Sequence, residues 1–146
     1  MTTVNVYLNY DGNCEEAFNF YKSVFGGEYS YFSRFGEMPP QEGMPTLPES
    51  EKNKVMHVAL PISAETMLMG SDNMANSPFK SVVGNNFSLS VNADTIEEAD
   101  RLFNELSDGG VITMPMSQTF WGAYFGMFTD KFQINWMINV ELAPEK

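Results

Sequence analysis

Apolar and polar residues alternate at the start of the chain. Val4, Val6 and Leu8 fall on one side and Asn5, Tyr7 and Asn9 on the other, as in a half-buried strand. The period then changes: Ala17, Phe20, Tyr21 and Val24 recur at three- and four-residue spacing behind Asn13. They predict an amphipathic helix over Cys14–Phe25 that closes on Gly26 and Gly27. Alternation returns in residues 28–35 (EYSYFSRF), 55–62 and 66–71, which read as three more strands. Within 55–62, Met56, Val58 and Leu60 lie opposite His57 and Ala59. The first half of the chain therefore reads β-α-β-β-β.

The second half repeats that order. Shifted by 82 positions, residues 13–27 fall on 95–109, with Glu15-Glu16-Ala17 over Glu97-Glu98-Ala99. Asn13 and Thr95 both suit a helix N-cap, and Glu16 and Glu98 stand where a capping-box carboxylate belongs. Ala99, Leu102, Phe103 and Leu106 repeat the apolar face. Strands are expected at 87–91, 111–114, 119–128 and 134–140. The stretch 119–128 (TFWGAYFGMF) also fits a helical period, but Gly122, Gly126 and the aromatic content favour a strand. The expected fold is α+β: one domain over residues 1–146, made of two βαβββ repeats at about 1–75 and 83–146. Each repeat gives a mostly antiparallel four-stranded sheet with one helix on one face, and the opposite faces are expected to enclose a cleft. Residues 36–53, with Pro39, Pro40, Pro45 and Pro48, break the pattern as a long loop that serves as slack, a lid or a dimer arm.

Charge narrows the partners. Eight Lys and Arg against 19 Asp and Glu give a formal charge of -11, with no basic cluster, which disfavours nucleic acid and anionic membrane. No apolar run approaches the roughly 20 residues that span a bilayer, and the first residues lack a signal-peptide pattern. A cytoplasmic protein is expected. The single cysteine, Cys14, stands at a helix start, where it is either an inert structural residue or a thiol of lowered pKa.

Several strings together resemble a known family. They are Tyr10-Asp11-Gly12-Asn13-Cys14-Glu15-Glu16-Ala17 with Phe20-Tyr21, then Phe35-Gly36-Glu37-Met38-Pro39, then Gln118-Thr119-Phe120-Trp121, and finally Asp130-Lys131-Phe132 with Trp136-Met137-Ile138-Asn139. With the repeated βαβββ plan, the chain resembles the vicinal oxygen chelate superfamily of glyoxalase I, bleomycin-resistance proteins and extradiol dioxygenases, and within it the PhnB-like branch. One departure is Gln133, where the family usually has glycine. The resemblance implies a homodimer. It also implies metal-ligand positions that fall on Asn5, Met69 (in an approximate register), Asn86 and Met137. Two amides and two thioethers suit a divalent ion poorly, so no metal and no cofactor is expected. The methyltransferase label sometimes given to PhnB-like proteins is discounted, because the glycine-rich loop and parallel α/β sheet of that chemistry are missing from the sequence.

The expected ligand-binding residues are Tyr7, His57, Trp121, Tyr124 and Met137. Aromatic rings with a few polar tips suit a flat or apolar small molecule, although the same rings would serve a core or a dimer interface. His57, the only histidine, is open to roles as structural residue, general base, ligand hydrogen-bonder or single metal ligand. Trp136 reads as core, and the Glu15-Glu16 and Glu97-Glu98 pairs as favourable charges at helix N-termini. No nucleophile elbow, phosphate loop, CxxC or HExxH is present. The expected function is metal-independent small-molecule binding of the glyoxalase/bleomycin-resistance type, in which the negative charge would favour a cationic ligand. The alternatives are a lyase, isomerase or dioxygenase whose metal is held by His57, and an interaction module without a ligand.

Overall fold

The opening alternation becomes strand β1 (Val6–Tyr10), two residues later than expected, and Val4 stands outside it in solvent. The computed structural model describes residues 2–37, 39, 43, 46–78 and 80–142. The chain divides into two compact units, Met1–Val82 and Val83–Lys146, and each is built around one four-stranded sheet.

In the first unit β1 is followed by α1 (Cys14–Phe25), β2 (Tyr31–Arg34), a short α2 (Glu49–Lys52), β3 (Val55–Pro61) and β4 (Met67–Asp72). The sheet order is β1-β4-β3-β2, with β1 and β4 parallel and the other two pairs antiparallel. Helix α1 covers one face. Ala17, Phe18, Tyr21 and Val24 are buried there with Leu8, Val58 and Leu60. Phe18 takes the inward place that the sequence pattern gave to Phe20, because Gly70 on β4 leaves room for its ring. A Cβ at Gly70 would stand 2.7 Å from Phe18 Cε1 and 2.8 Å from the Leu8 carbonyl. Residues 38, 40–42, 44 and 45 of the proline-rich stretch 36–53 lie outside the described residues; its end forms α2, which the sequence pattern did not suggest.

The second unit has β5 (Leu89–Asn92), α3 (Ile96–Ser107), β6 (Val111–Gln118), β7 (Ala123–Thr129) and β8 (Asn135–Glu141). Its sheet order is β5-β8-β7-β6, again with one parallel pair, β5 with β8. Ala99, Leu102, Phe103 and Leu106 of α3 are buried with Phe128, Trp136, Ile138 and Val140, so Trp136 is core as expected. Two boundaries differ from the sequence pattern. Strand β6 runs on to Gln118 through two register shifts, past Pro115, which an edge strand tolerates because no ladder donor is needed there. The predicted strand 119–128 is split: Thr119 to Gly122 form a turn, with Gly122 at φ +86°, and the strand begins at Ala123.

The two helices start alike in sequence and differently in structure. Thr95 caps α3 through its hydroxyl, which accepts from the Glu98 N–H at 3.1 Å. Asn13 makes no side-chain cap. Asp72, at the end of β4, supplies the acceptor instead: its Oδ1 takes the N–H groups of Gly12 (3.0 Å) and Cys14 (2.9 Å), and its Oδ2 takes that of Val55 (2.9 Å). Asp130 is the equivalent hub of the second unit, accepting from Phe132 N–H, Ile134 N–H and Trp136 Nε1.

Candidate ligand-binding face

Directly opposed residues of neighbouring strands point to the same side of a sheet. In the first unit the register Tyr7↔Met69, Met69↔Ala59 and Ala59↔Tyr31 runs one row across all four strands, on the side away from α1. His57 and its partner Ser33 lie on the same side. The ring of His57 stacks on Tyr7, with centroids 5.7 Å apart and planes 20° off parallel, and meets Tyr31 at 5.4 Å. Tyr7 Oη and His57 Nδ1 are 3.3 Å apart, which holds the imidazole and leaves Nε2 without a hydrogen-bond partner among the described residues. Tyr7 and Tyr31 remain 42% and 49% exposed, whereas Ser33 is only 7% exposed. The Ser33 hydroxyl also has no hydrogen-bond partner among the described residues.

Of the residues expected from the sequence, Tyr7 and His57 lie together on this face, beside Tyr31 and Ser33, which the sequence reading did not name. The alternation of residues 28–35 contained the signal, but only the β2–β3 register places those two beside His57. The neighbouring cation faces the other way: Arg34 forks onto Glu15 of α1 with bonds of 2.9 and 2.7 Å and lies over the Phe32 ring. That pairing lowers the Glu15 pKa through the guanidinium hydrogen bonds. Cys14 is fully buried, and burial, with Asp72 and Glu15 adding, pushes its thiol up, so the reactive reading of this cysteine is corrected.

The other three expected residues belong to the second unit, and they do not share one face. Met137 lies opposite Met127, on the side of the sheet away from α3. Trp121 sits in the turn before β7, 59% exposed, with its ring 6.1 Å from Phe125. Tyr124 is on the α3 side, where its hydroxyl donates to Asp100 Oδ1 at 2.7 Å, and this bond raises its pKa. Its phenol is committed to tethering the helix.

Two sheets of this order, each with one long helix packed on it, match known proteins. The sequence model of the Glyoxalase/Bleomycin resistance protein/Dioxygenase superfamily covers residues 3–138. The chain belongs to that superfamily. Among its relatives is protein YjdN of Escherichia coli strain K12, 34% identical over 139 residues, with 92% of each chain covered. Protein PA1353 of Pseudomonas aeruginosa has a solved structure that matches with a TM-score of 0.79 at 39% identity, over 97% of this chain and 100% of that one. A Bacillus cereus PhnB protein, described as a putative 3-demethylubiquinone-9 3-methyltransferase, matches with a TM-score of 0.72 at 28% identity, over 95% and 99% of the two chains.

The resemblance carries metal-ligand positions onto this chain, and the side chains standing there are poor donors for a divalent ion. The carried-over positions Asn5 and Met69 in the first unit, and Asn86 and Met137 in the second, offer amides and thioethers. Among the described residues, no three His, Cys, Asp or Glu side chains gather where they could hold a metal ion. No helix of the described residues is long and apolar enough to cross a membrane.

Proposed function

We propose that this PhnB-like member of the glyoxalase/bleomycin-resistance group binds a small molecule on the open face of its first sheet, without the superfamily metal. The observation that carries the reading is the Tyr7–His57–Tyr31 ring cluster. Strand pairing and the Tyr7–His57 hydrogen bond bring the rings together, and both tyrosines remain substantially exposed on the face away from α1. Exposed rings cost hydration free energy, and a ligand that stacks on them removes that cost. Tyr7 fixes the imidazole, and Nε2 is left to orient a polar group of the ligand.

Metal-dependent lyase, isomerase or dioxygenase chemistry through His57 is the competing reading. It requires further ligands beside His57, and Tyr7, Tyr31 and Ser33 supply no imidazole, carboxylate or thiolate. The methyltransferase description of the Bacillus cereus relative is not carried over. Two separate four-stranded sheets, each with a single parallel pair, lack the continuous parallel sheet on which that chemistry is usually built. We further propose that the protein works as a cytoplasmic homodimer, which light scattering at micromolar concentration tests.

The binding reading is tested by a thermal-shift screen of small molecules on the wild-type protein and on Tyr7→Ala and His57→Ala. Ligands that raise the wild-type melting temperature should lose most of that effect in both variants. A ligand that stabilises all three equally would place binding elsewhere. Near-stoichiometric retention of zinc, nickel, manganese or iron after dialysis would favour the competing reading.

A further inference from the structure

We infer that strand β6 and the turn after it, residues 111–121, form the surface through which two copies of this chain join. The inference rests on the homodimer reading above and names the interface that reading needs. The sheet of the second unit ends in β6, which pairs with β7 on one side and leaves its other edge open among the described residues. It is the longest strand described, and seven of its eight residues are exposed; only Met116 is partly covered. A strand of such a sheet usually keeps one face against the core, as Leu8 and Tyr10 do on β1. Here both faces are open. Ile112 opposes Phe128 on the α3 side, and Val111 and Met114 lie on the other.

Exposed apolar surface is concentrated in this stretch. Of the twelve large apolar side chains exposed among the described residues, five fall between positions 111 and 121: Val111, Ile112, Met114, Phe120 and Trp121. Phe120 is 98% exposed and stands edge-on to Trp121, with ring centroids 5.0 Å apart. Their turn is fixed by Thr119, whose hydroxyl accepts from the Ala123 N–H at 3.1 Å. Single exposed apolar residues are ordinary, but a run of them along an open strand edge marks a contact surface. From their fractional exposures, the five side chains present on the order of 600 Å², most of the roughly 800 Å² per partner that a standard interface covers.

Composition selects the partner. Residues 111–121 (VITMPMSQTFW) hold no charged side chain, in a chain of charge -11. In a two-fold contact each residue near the axis meets its own kind, so a charge there would face its like and cost free energy. A strand that pairs with a foreign partner is free to carry charges that the partner complements; one that pairs with itself has to be neutral. Lipid is a poor alternative, because the open N–H and C=O groups of the edge would find no partner in hydrocarbon. Antiparallel pairing of residues 111–114 with the same residues of a second copy satisfies those groups, and it stops at Pro115, which has no N–H to give. Phe120 and Trp121 add apolar area beyond that stretch.

Sedimentation equilibrium at micromolar concentration, with hydrogen exchange of the β6 amides, tests the proposal on the full chain. The wild type should be a dimer, and the amides of residues 111–114 should lose protection on dilution. Ile112→Lys brings two like charges to the axis and should weaken the dimer about a hundredfold. Phe120→Ser should weaken it about tenfold with the far-ultraviolet circular dichroism spectrum unchanged, because that ring packs almost nothing within its own chain; it decides the test if the lysine variant fails to fold. A wild-type dimer that both folded variants leave intact would overturn this interface while the homodimer reading stands. A wild-type monomer would remove both.

Discussion

Asp72 gives a sharp test of how the first unit is held together. Its carboxylate is 4% exposed and receives three backbone N–H groups, two from the start of α1 and one from the start of β3. One side chain therefore joins β4, the helix entry and β3. Asp72→Asn keeps the size and one acceptor oxygen but replaces the other with an NH₂ group. In its better orientation the amide oxygen still serves Gly12 and Cys14, and the NH₂ confronts the Val55 N–H. One charge-assisted bond is lost and a buried donor is left unmet, at a cost of about 2–3 kcal/mol. Asp72→Ala strands all three donors, and allowing for non-additivity the cost rises to about 4–5 kcal/mol, a large share of a typical domain's stability of about 5–15 kcal/mol. For a chain of this size each kcal/mol moves the melting temperature by about 2–4 °C, so Asp72→Asn should melt about 5–10 °C lower. Both tryptophans, Trp121 and Trp136, lie in the second unit, so far-ultraviolet circular dichroism rather than tryptophan fluorescence should follow the transition. Thr95→Ala is the comparison: it removes a single cap bond, to the Glu98 N–H, and should cost about 1 kcal/mol. An Asp72→Asn protein that melts with the wild type, or an Asp72→Ala protein no worse than Asp72→Asn, would refute the hub.

Other consequences are checked by similar means. Gln133 holds φ +72°, the one non-glycine positive φ among the described residues, so Gln133→Gly should relieve strain and stabilise by about 0.5–1 kcal/mol, read as a higher urea midpoint; a lower midpoint would contradict it. Gly70→Ala should destabilise by about 1–3 kcal/mol, because its new methyl group meets the Phe18 ring and the Leu8 carbonyl, and an unchanged urea midpoint would count against the packing described. The Tyr29 phenol is pushed up to about 12 from 10.0, mainly by burial, with Cys14 and Glu15 adding, and its hydroxyl donates to Asn19. A raised acid pKa favours the protonated form in the fold, so this contribution to stability is present below pH 10 and is lost as the pH rises toward 12. In a tyrosinate absorbance titration, Tyr29→Phe should remove a late-titrating group; loss of an ordinary one instead would show the phenol to be accessible.

Much of the architecture was legible because it is local. The helix Cys14–Phe25 begins and ends where its pattern says, and α3 matches its predicted apolar face residue by residue. The period change between strand and helix, the repeat and the glycine stops all act over a few residues. Strand ends were less legible. Trp121 fell outside the strand assigned to it because Gly122 turns the chain there, and β6 ran longer because pairing with β7 continues past Met114.

The site divides along the same line. Sequence alone put Tyr7 with Asn5 and Asn9, and His57 opposite Met56, Val58 and Leu60, since alternation fixes the side of every residue in a strand. It also laid out the two βαβββ modules. Only the tertiary structure decided that Tyr31 and Ser33 join His57, that Tyr124 turns to Asp100, and that Asp72 rather than Asn13 caps α1. Each of those depends on which strands pair and in what register. Register is set by packing between segments tens of residues apart, which no periodicity within a single segment encodes.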